Sequence, residues 1–313
     1  MAYVAGFIVG LLLLRRLVRT GRLKLTSDHV EILITYILIG VLAGGRVGYV
    51  LFYDLSLLFD FSLQFPFWGL IAVNEGGMSS HGGFVGVTLM LVLFCRKYRV
   101  PLFHLGDAVV SCAAPGLFFG RMANFINGEL FGRPTDVPWA VCFPTEIMNW
   151  STERILKLSA FLESKGYHYK NLLRLIQDIR TNDRVAELVH PFLTPRHPSQ
   201  IYEALLEGIV LFLILWIIMN RSRIAGLASA GFFIFYAILR ITAEMFRQPD
   251  YGIGYQWLGL TRGQWLSVAM IVGGCVILYI SSKKQILVKN ITTPPKPAKK
   301  ENQEKKHRHR KKK

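Results

Sequence analysis

The chain has 313 residues, 52% of them hydrophobic, and a mean hydropathy of +0.35. Its apolar residues come in blocks rather than periodic faces, which excludes a soluble domain and indicates membrane spans. The formal net charge of +17 does not point to nucleic acid: residues 283–313 hold 13 Lys or Arg against 2 Glu, hence +11 of it, with no aromatic-interleaved basic fold beside them.

The first apolar run, MAYVAGFIVGLLLL, has no positive n-region and is followed by Arg15 and Arg16, the reverse of a cleavable signal peptide. The 14 residues before Arg15, at about 1.5 Å each, fall short of a hydrocarbon core about 30 Å thick. They predict either a span that thins the bilayer or a chain lacking its true beginning. Spans follow at roughly 32–53, 82–95 and 105–120, the last two lengthened by Gly-rich flanks. Gly40, Gly44 and Gly48, then Gly82/Gly86 and Gly116/Gly120, repeat every four residues and predict close helix packing. Arg46 lies in the second half of the second span, His81 opens the third, and Arg121 and Asn124 close the fourth on a shared i, i+3 face.

The long segment 133–197 carries Ile155, Leu158, Leu162, Leu172, Leu175 and Ile179 at helical spacing. It predicts a small helical head, either packed on itself or lying as an amphipathic platform over a site. Three more spans follow at 201–219, 224–243 and 264–281. His197, Gln200 and Glu203 open the first of these. Tyr236, Arg240, Glu244 and Arg247 step along the second at i, i+4, i+8 and i+11, on one helical face. Residues 283–313 form a Pro- and Lys-rich segment without the means to build a core, so the expected division is a membrane domain over 1–282 and a disordered tail.

Basic connectors at 15–24, 95–99, 220–223 and from Lys283 alternate with longer, less basic ones. Seven spans with the N-terminus outside and the C-terminus cytoplasmic satisfy all of them, and the 121–200 loop then faces outward. The expected fold is therefore all-α and polytopic with a small outward head. Cys95, Cys112, Cys142 and Cys275 show no paired spacing, and only Cys142 falls in that loop. No intramolecular disulfide framework is expected, and the cysteines read as small hydrophobes.

On this topology the polar groups gather toward the outer leaflet, where charges persist only if they pair or do work. Arg240 and Glu244 can neutralise one another, with Arg247 snorkelling. Arg121, Arg46 and His81 have no evident partner. Several arginines with few acids suit a lipid phosphate, His81 has the range for proton transfer, and Asn124 and Tyr236 can orient hydroxyls. No HExxH, ligand cluster, P-loop or GxGxxG is present, so neither metal nor nucleotide cofactor is expected. Two rivals fit less well. A lipid transporter or flippase favours midplane polar residues and internal repeats. A serine protease using Ser79 or Ser80 with His81 would set neighbours in sequence where a dyad spans two helices.

Five motifs in order then carry a resemblance: GGRVGYVLFYD at 44–54, GGMSSHGG at 76–83, GRMANFINGELFG at 120–132, RHPSQIYE at 196–203 and YAILRITAEMFRQPD at 236–250. Together, from residue 1 to 282, they resemble the prolipoprotein diacylglyceryl transferases. The resemblance implies a bacterial inner-membrane enzyme that moves the diacylglyceryl group of phosphatidylglycerol onto the lipobox cysteine thiol of a prolipoprotein signal peptide, releasing glycerol phosphate. It implies Arg121, Asn124, Glu129 and Gly132 as the signature that binds phosphatidylglycerol, with Arg46 beside them. His81, Tyr236, Arg240 and Glu244 are the implied catalytic set. Arg121 and Arg240 would hold the leaving phosphate, Glu244 would orient Arg240, and His81, or a base presented by Arg240 and Glu244, would help ionise the thiol. Two departures stand out. Ala123 replaces the usual second glycine of GRxGNF, and the family's N-terminal arm with its Tyr-bearing aromatic motif would precede residue 1. A start placed too late is the expectation, with a longer form more active or more stable.

Overall fold

The computed structural model describes residues 2–61, 66–73, 76–248, 259 and 261–296, apart from the side chains of Tyr3, Ser80 and Arg262. Long helices stand at each position where an apolar block predicted one: α1 (Ala2–Arg19), α2 (Ser27–Phe52), α3 (Ser80–Tyr98) and α4 (Leu102–Asn127). After the head, α8 (Ser199–Arg221), α9 (Leu227–Glu244) and α10 (Arg262–Lys284) follow. Five of them, α2, α4, α8, α9 and α10, are long and apolar enough to cross a membrane, so the chain is a mostly helical, multi-pass membrane protein. α1 carries Arg15, Arg16 and Arg19, and α3 is bounded by His81 and by Arg96 and Lys97, which keeps both out of that set.

The helices run longer than the apolar blocks. α1 does not stop before Arg15 but continues to Arg19, giving 18 residues, about 27 Å at the usual rise. Arg15, Arg16 and Arg19 lie in that extension, so the apolar part stays as short as expected and α1 is not among the helices apolar enough to cross a membrane. α4 reaches Asn127, so Arg121 and Asn124 lie on its last two turns.

The chain forms two compact units. One contains the segments Ala113–Leu215 and Ala230–Val276 with the start of α1; the other contains residues 8–112, 216–229 and the chain from 277 onward. In the second unit α2 packs on α3 through glycines: a Cβ on Gly44 would lie 2.7 Å from the Gly86 Cα, and one on Gly48 2.6 Å from the Gly82 Cα. No side chain fits at that approach. Leu14, Leu17, Leu33, Phe94 and Leu105 fill the core beside this seam. Asp107, on α4, accepts from the N–H groups of Gly226 and Ser229 at 2.6 and 2.7 Å, satisfying the start of α9. The expected tail begins later than residue 283. α10 continues through Lys284, and Ile286 and Val288 pair with the backbone of Ala225 and Arg223 at 2.9 Å. An apolar Ile286–Val288 stretch gives the chain something to dock; residues 297–313 lie outside the described ones.

In the first unit Ala114, Leu211 and Leu215 form a small core with Phe232, Tyr236 and Leu239. Gly208 lets α8 approach α4, since a Cβ there would sit 2.5 Å from that of Phe118. Of the predicted Gly116/Gly120 pair, only Gly116 makes a close contact, with Gly6 of α1; nothing lies within 4 Å of a Cβ at Gly120. The head is built from α5 (Thr152–Ser164), α6 (Leu172–Thr181) and α7 (Asp183–Val189), capped by Ser151, Asn171 and Asn182. Ile147, Leu158, Leu162, Leu175, Ile179, Val185 and Val189 are buried together, so the head packs on itself. It is not purely helical: β1 (Val141–Cys142) pairs antiparallel with β2 (Pro195–Arg196) and joins its two ends.

Candidate active site

Glu203 and Glu207 stand four residues apart on α8, one in the opening turn and the other inside a π-helical stretch, Ala204–Val210. Such widened winding is frequent at functional sites. Both side chains have 0% exposure. Carboxylates buried in an apolar helix are costly unless cations meet them, and three do.

Arg121 reaches Glu203 through Nη1 at 2.8 Å and Glu207 through Nη2 at 2.9 Å. Its Nε donates a further bond to Glu207 at 3.3 Å. Arg240, on α9, meets Glu203 at 2.8 Å and Glu207 at 3.2 Å through Nη1, and Glu244, one turn on, at 2.9 Å through Nη2. Arg247 lies 3.3 Å from Glu203, and the Thr261 hydroxyl donates to Glu244 at 3.2 Å. Three guanidiniums thus face three carboxylates. The arginines keep 17% (Arg121) and 13% (Arg240) side-chain exposure, against 7% for Glu244 and 0% for Glu203 and Glu207.

This geometry corrects the sequence reading twice. Arg121 is not unpaired, and the site is not rich in arginine with few acids. Glu207 was missed because apolar neighbours surround it in ALLEGIV. The signal that could have found it is its i, i+4 relation to Glu203 within a span, where two lone carboxylates require cations from other helices. Arg247 is a further correction, to the helical spacing. α9 ends at Glu244, so Arg247 does not lie on the helical face of Tyr236, Arg240 and Glu244. It reaches Glu203 because residues 246–248 bridge back to residues 131–133, with Gly132 opposite Arg247.

That bridge explains Gly132. A Cβ there would lie 2.7 Å from both the His197 Cβ and the Phe246 carbonyl oxygen, so a side chain would force apart the strands that deliver Arg247. The turn from α4 into the bridge is held by its own polar groups. Asn124 and Asn127 donate to the two oxygens of Glu129 at 3.3 and 3.4 Å. Gln200 and Ser199 donate to the carbonyls of Glu129 and Leu130 at 2.6 and 3.1 Å. The RHPSQIYE motif therefore fastens the turn and also supplies Glu203. Tyr236, one turn before Arg240, stacks on Phe232 with centroids 5.5 Å apart.

Arg46 and His81 belong to the other unit. Arg46 is 4% exposed and spends its donors on backbone carbonyls: Leu70 at 3.1 Å, Gly76 at 2.6 Å, Gly77 at 3.2 Å, and Gly69. It fastens residues 69–70 and 76–77 instead of standing open to a headgroup, because a guanidinium fork satisfies several loop carbonyls at once. His81 is exposed in the first turn of α3. Ser79 is buried and caps that helix by accepting from the Gly82 N–H at 3.3 Å. Cys142 is a free thiol in β1. Burial, and then the Glu146 carboxylate, push its pKa up, the opposite of a reactive thiolate.

The prolipoprotein diacylglyceryl transferase family profile matches residues 1–280. The chain is 40% identical over 307 residues to a phosphatidylglycerol--prolipoprotein diacylglyceryl transferase of Bdellovibrio bacteriovorus, covering 90% of this chain and 87% of that protein. It is 40% identical to the one of Rhodospirillum rubrum over 289 residues, with the same coverage. With that of Azospirillum brasilense it shares 39% over 278 residues, 88% of this chain and 85% of the other. The chain belongs to the prolipoprotein diacylglyceryl transferase family.

Proposed function

We propose that this chain is a transferase that moves the diacylglyceryl group of phosphatidylglycerol to the lipobox cysteine thiol of prolipoproteins, in the bacterial inner membrane. Its seven long helices would all span, with the N-terminus outside, the head on the outer face and the basic C-terminal tail in the cytoplasm. The observation that carries the site reading is that Arg121 and Arg240, from different helices, converge on the same two carboxylates and keep an open edge.

In the reaction the thiol loses its proton and the sulfur attacks the glycerol carbon. The carbon–oxygen bond to phosphate breaks, and glycerol phosphate departs with the electron pair. The remaining N–H groups of Arg121 and Arg240 meet the charge that grows on the leaving oxygen. They are already fixed by Glu203, Glu207 and Glu244, so little reorganisation is needed. Tyr236 and Asn124 orient the substrate, Glu129 and Gly132 shape the turn that carries Asn124, and His81 takes the thiol proton. Arg46 supports the approach to α3 through the segment it fastens. A transporter reading is not favoured: the charged groups here are locked by ion pairs on three helices rather than set at the break of a helix between repeats.

The test is complementation. The chain, and Arg121→Lys beside it, are expressed in cells depleted of their own transferase, and lipidation of a reporter lipoprotein is followed. Lipidation by the first and a deep loss in the second is the expected result. Full lipidation by both would remove Arg121 from the reaction, and none by either, with the protein present in the membrane, would overturn the activity.

A further inference from the structure

We propose that the head holds a second phosphate site, a cavity that receives a glycerol phosphate group outside the ion-pair cluster. The cavity measures about 180 Å³ and lies among Phe131, Glu146, Trp150, Arg154 and Arg196, beside the N-cap of α5. It is smaller than the roughly 300–1,000 Å³ of a drug-sized pocket and suits a small anionic group. Aromatic rings hold its two guanidiniums in place. Arg154 lies over Trp150 at 3.8 Å from the ring centroid, and Arg196 over Phe131 at 4.7 Å.

The groups left unengaged on its walls decide the ligand. Both oxygens of Glu146 already accept, Oε1 from the Thr194 N–H at 2.9 Å and Oε2 from the Arg196 Nε at 2.7 Å. Arg154 uses Nη2 on the Phe192 carbonyl and the Thr194 hydroxyl. Arg196 uses Nη1 on the Gly132 carbonyl at 3.2 Å and the Gln248 side chain at 3.5 Å. Among the described residues no acceptor meets Nε and Nη1 of Arg154, Nη2 of Arg196 or the buried indole N–H of Trp150. These unengaged groups are all donors, and two cations line the cavity against one anion, so the ligand is an anion rich in acceptors. A tetrahedral phosphate can meet both guanidinium forks at once, where a carboxylate fills one. Arg196 also ties the cavity to the active-site turn, since the Gly132 whose carbonyl it holds stands opposite Arg247. The choice of glycerol phosphate rests on the transferase reading above, in which the lipid carries that group and the reaction releases it.

The experiment reads the cavity directly. Asn149 is exposed and on the cavity wall. Asn149→Cys is made in the purified full chain, held in phosphatidylcholine nanodiscs, and alkylation of the new thiol is followed by mass spectrometry. Glycerol phosphate is expected to slow alkylation saturably, and succinate at the same concentration to do so far less. Arg154, whose side chain is 42% exposed, can be replaced without opening the core. Arg154→Gln should raise the half-protecting concentration on the order of tenfold, as loss of one charge in a partly screened site would give. Arg121→Lys should leave it unchanged. Nanodiscs of phosphatidylglycerol distinguish the sources: protection by the lipid itself assigns the cavity to a headgroup, and protection by the soluble anion alone assigns it to the released product. Absence of protection from both overturns the inference. Succinate protecting equally well also overturns it, in favour of a carboxylate such as an acidic peptide presents, and that comparison needs no folded Arg154→Gln. Protection unmoved by Arg154→Gln, or abolished by Arg121→Lys, places the anion elsewhere and overturns it too. Binding and transfer are separate readouts. Protection without any transfer keeps the site and removes the function proposed above, whereas transfer without protection removes the site alone.

Discussion

Glu207 holds Arg121 through Oε2 at 2.9 Å and Arg240 through Oε1 at 3.2 Å. The two arginines come from α4 and α9, so this one carboxylate makes a single donor-lined unit out of residues that lie far apart in sequence. Charge pairs of this kind are asymmetric: formed, they contribute modestly, but removing one partner leaves the other buried and uncompensated.

Arg121→Ala should therefore fail in two separable ways. It removes donors aimed at the leaving phosphate, a loss of roughly 10²–10³-fold in kcat by analogy with other preorganised donors. It also takes from Glu207 one of its two cations, Arg240 remaining, and leaves one buried acceptor oxygen unsatisfied, a destabilisation of about 1–3 kcal/mol. Arg121→Lys keeps the charge without the fork and should restore most of the thermal stability in detergent while transfer stays low. Activity restored in step with stability would show that Arg121 serves the fold alone.

The α2–α3 seam makes a second prediction. Gly44→Ala places a methyl 2.7 Å from the Gly86 Cα, in a helix pair that has no room for it. Overpacking of this sort costs about 1–3 kcal/mol, to be read as a lowered melting temperature of the purified protein. Gly120→Ala meets nothing within 4 Å and should leave the melting temperature unchanged. Equal behaviour of the two variants would mean that the seam opens at no cost.

Cys142 gives a pH prediction. Its thiol is pushed above the ordinary range by burial and by the Glu146 carboxylate, and the thiolate is the reactive form. A raised pKa delays the thiolate to higher pH. Alkylation of Cys142, measured in a Cys275→Ser background, should begin at a higher pH than that of an unstructured cysteine peptide. Alkylation that begins at or below the peptide's pH would contradict the placement of Cys142 in β1.

The sequence made the fold legible because a membrane helix must satisfy its own backbone and be apolar along its length. Both properties are local, so every block became a helix. The Arg240–Glu244 pair was legible for the same reason, being i, i+4 on one helix. Partners across helices were not. Glu203 meets arginines of α4, α9 and the chain beyond α9, and nothing local announces which spans adjoin. Arg46 shows the converse: an arginine in a span suggested a ligand, yet a loop too far along the chain to be seen as its partner takes the guanidinium. Gly132 was legible as a signature position, but its reason, backbones crowding it from residues 197 and 246, exists only in three dimensions.

His81 carries the last prediction. It lies outside the ion-pair cluster: exposed, in the first turn of α3, and followed by Gly82 and Gly83. Replacing it disturbs little packing, so His81→Gln should fold with an unchanged melting temperature. If His81 takes the thiol proton, the variant should lose kcat by about 10²–10⁴-fold, the range of a general base, with the KM for phosphatidylglycerol nearly unchanged. The loss should also narrow as pH rises toward the thiol's own ionisation, since a thiolate formed in solution no longer needs a base. A loss that stays constant with pH would assign His81 to binding the signal peptide instead. The thiol proton would then have to leave by way of the departing phosphate, whose monoester oxygen can accept it.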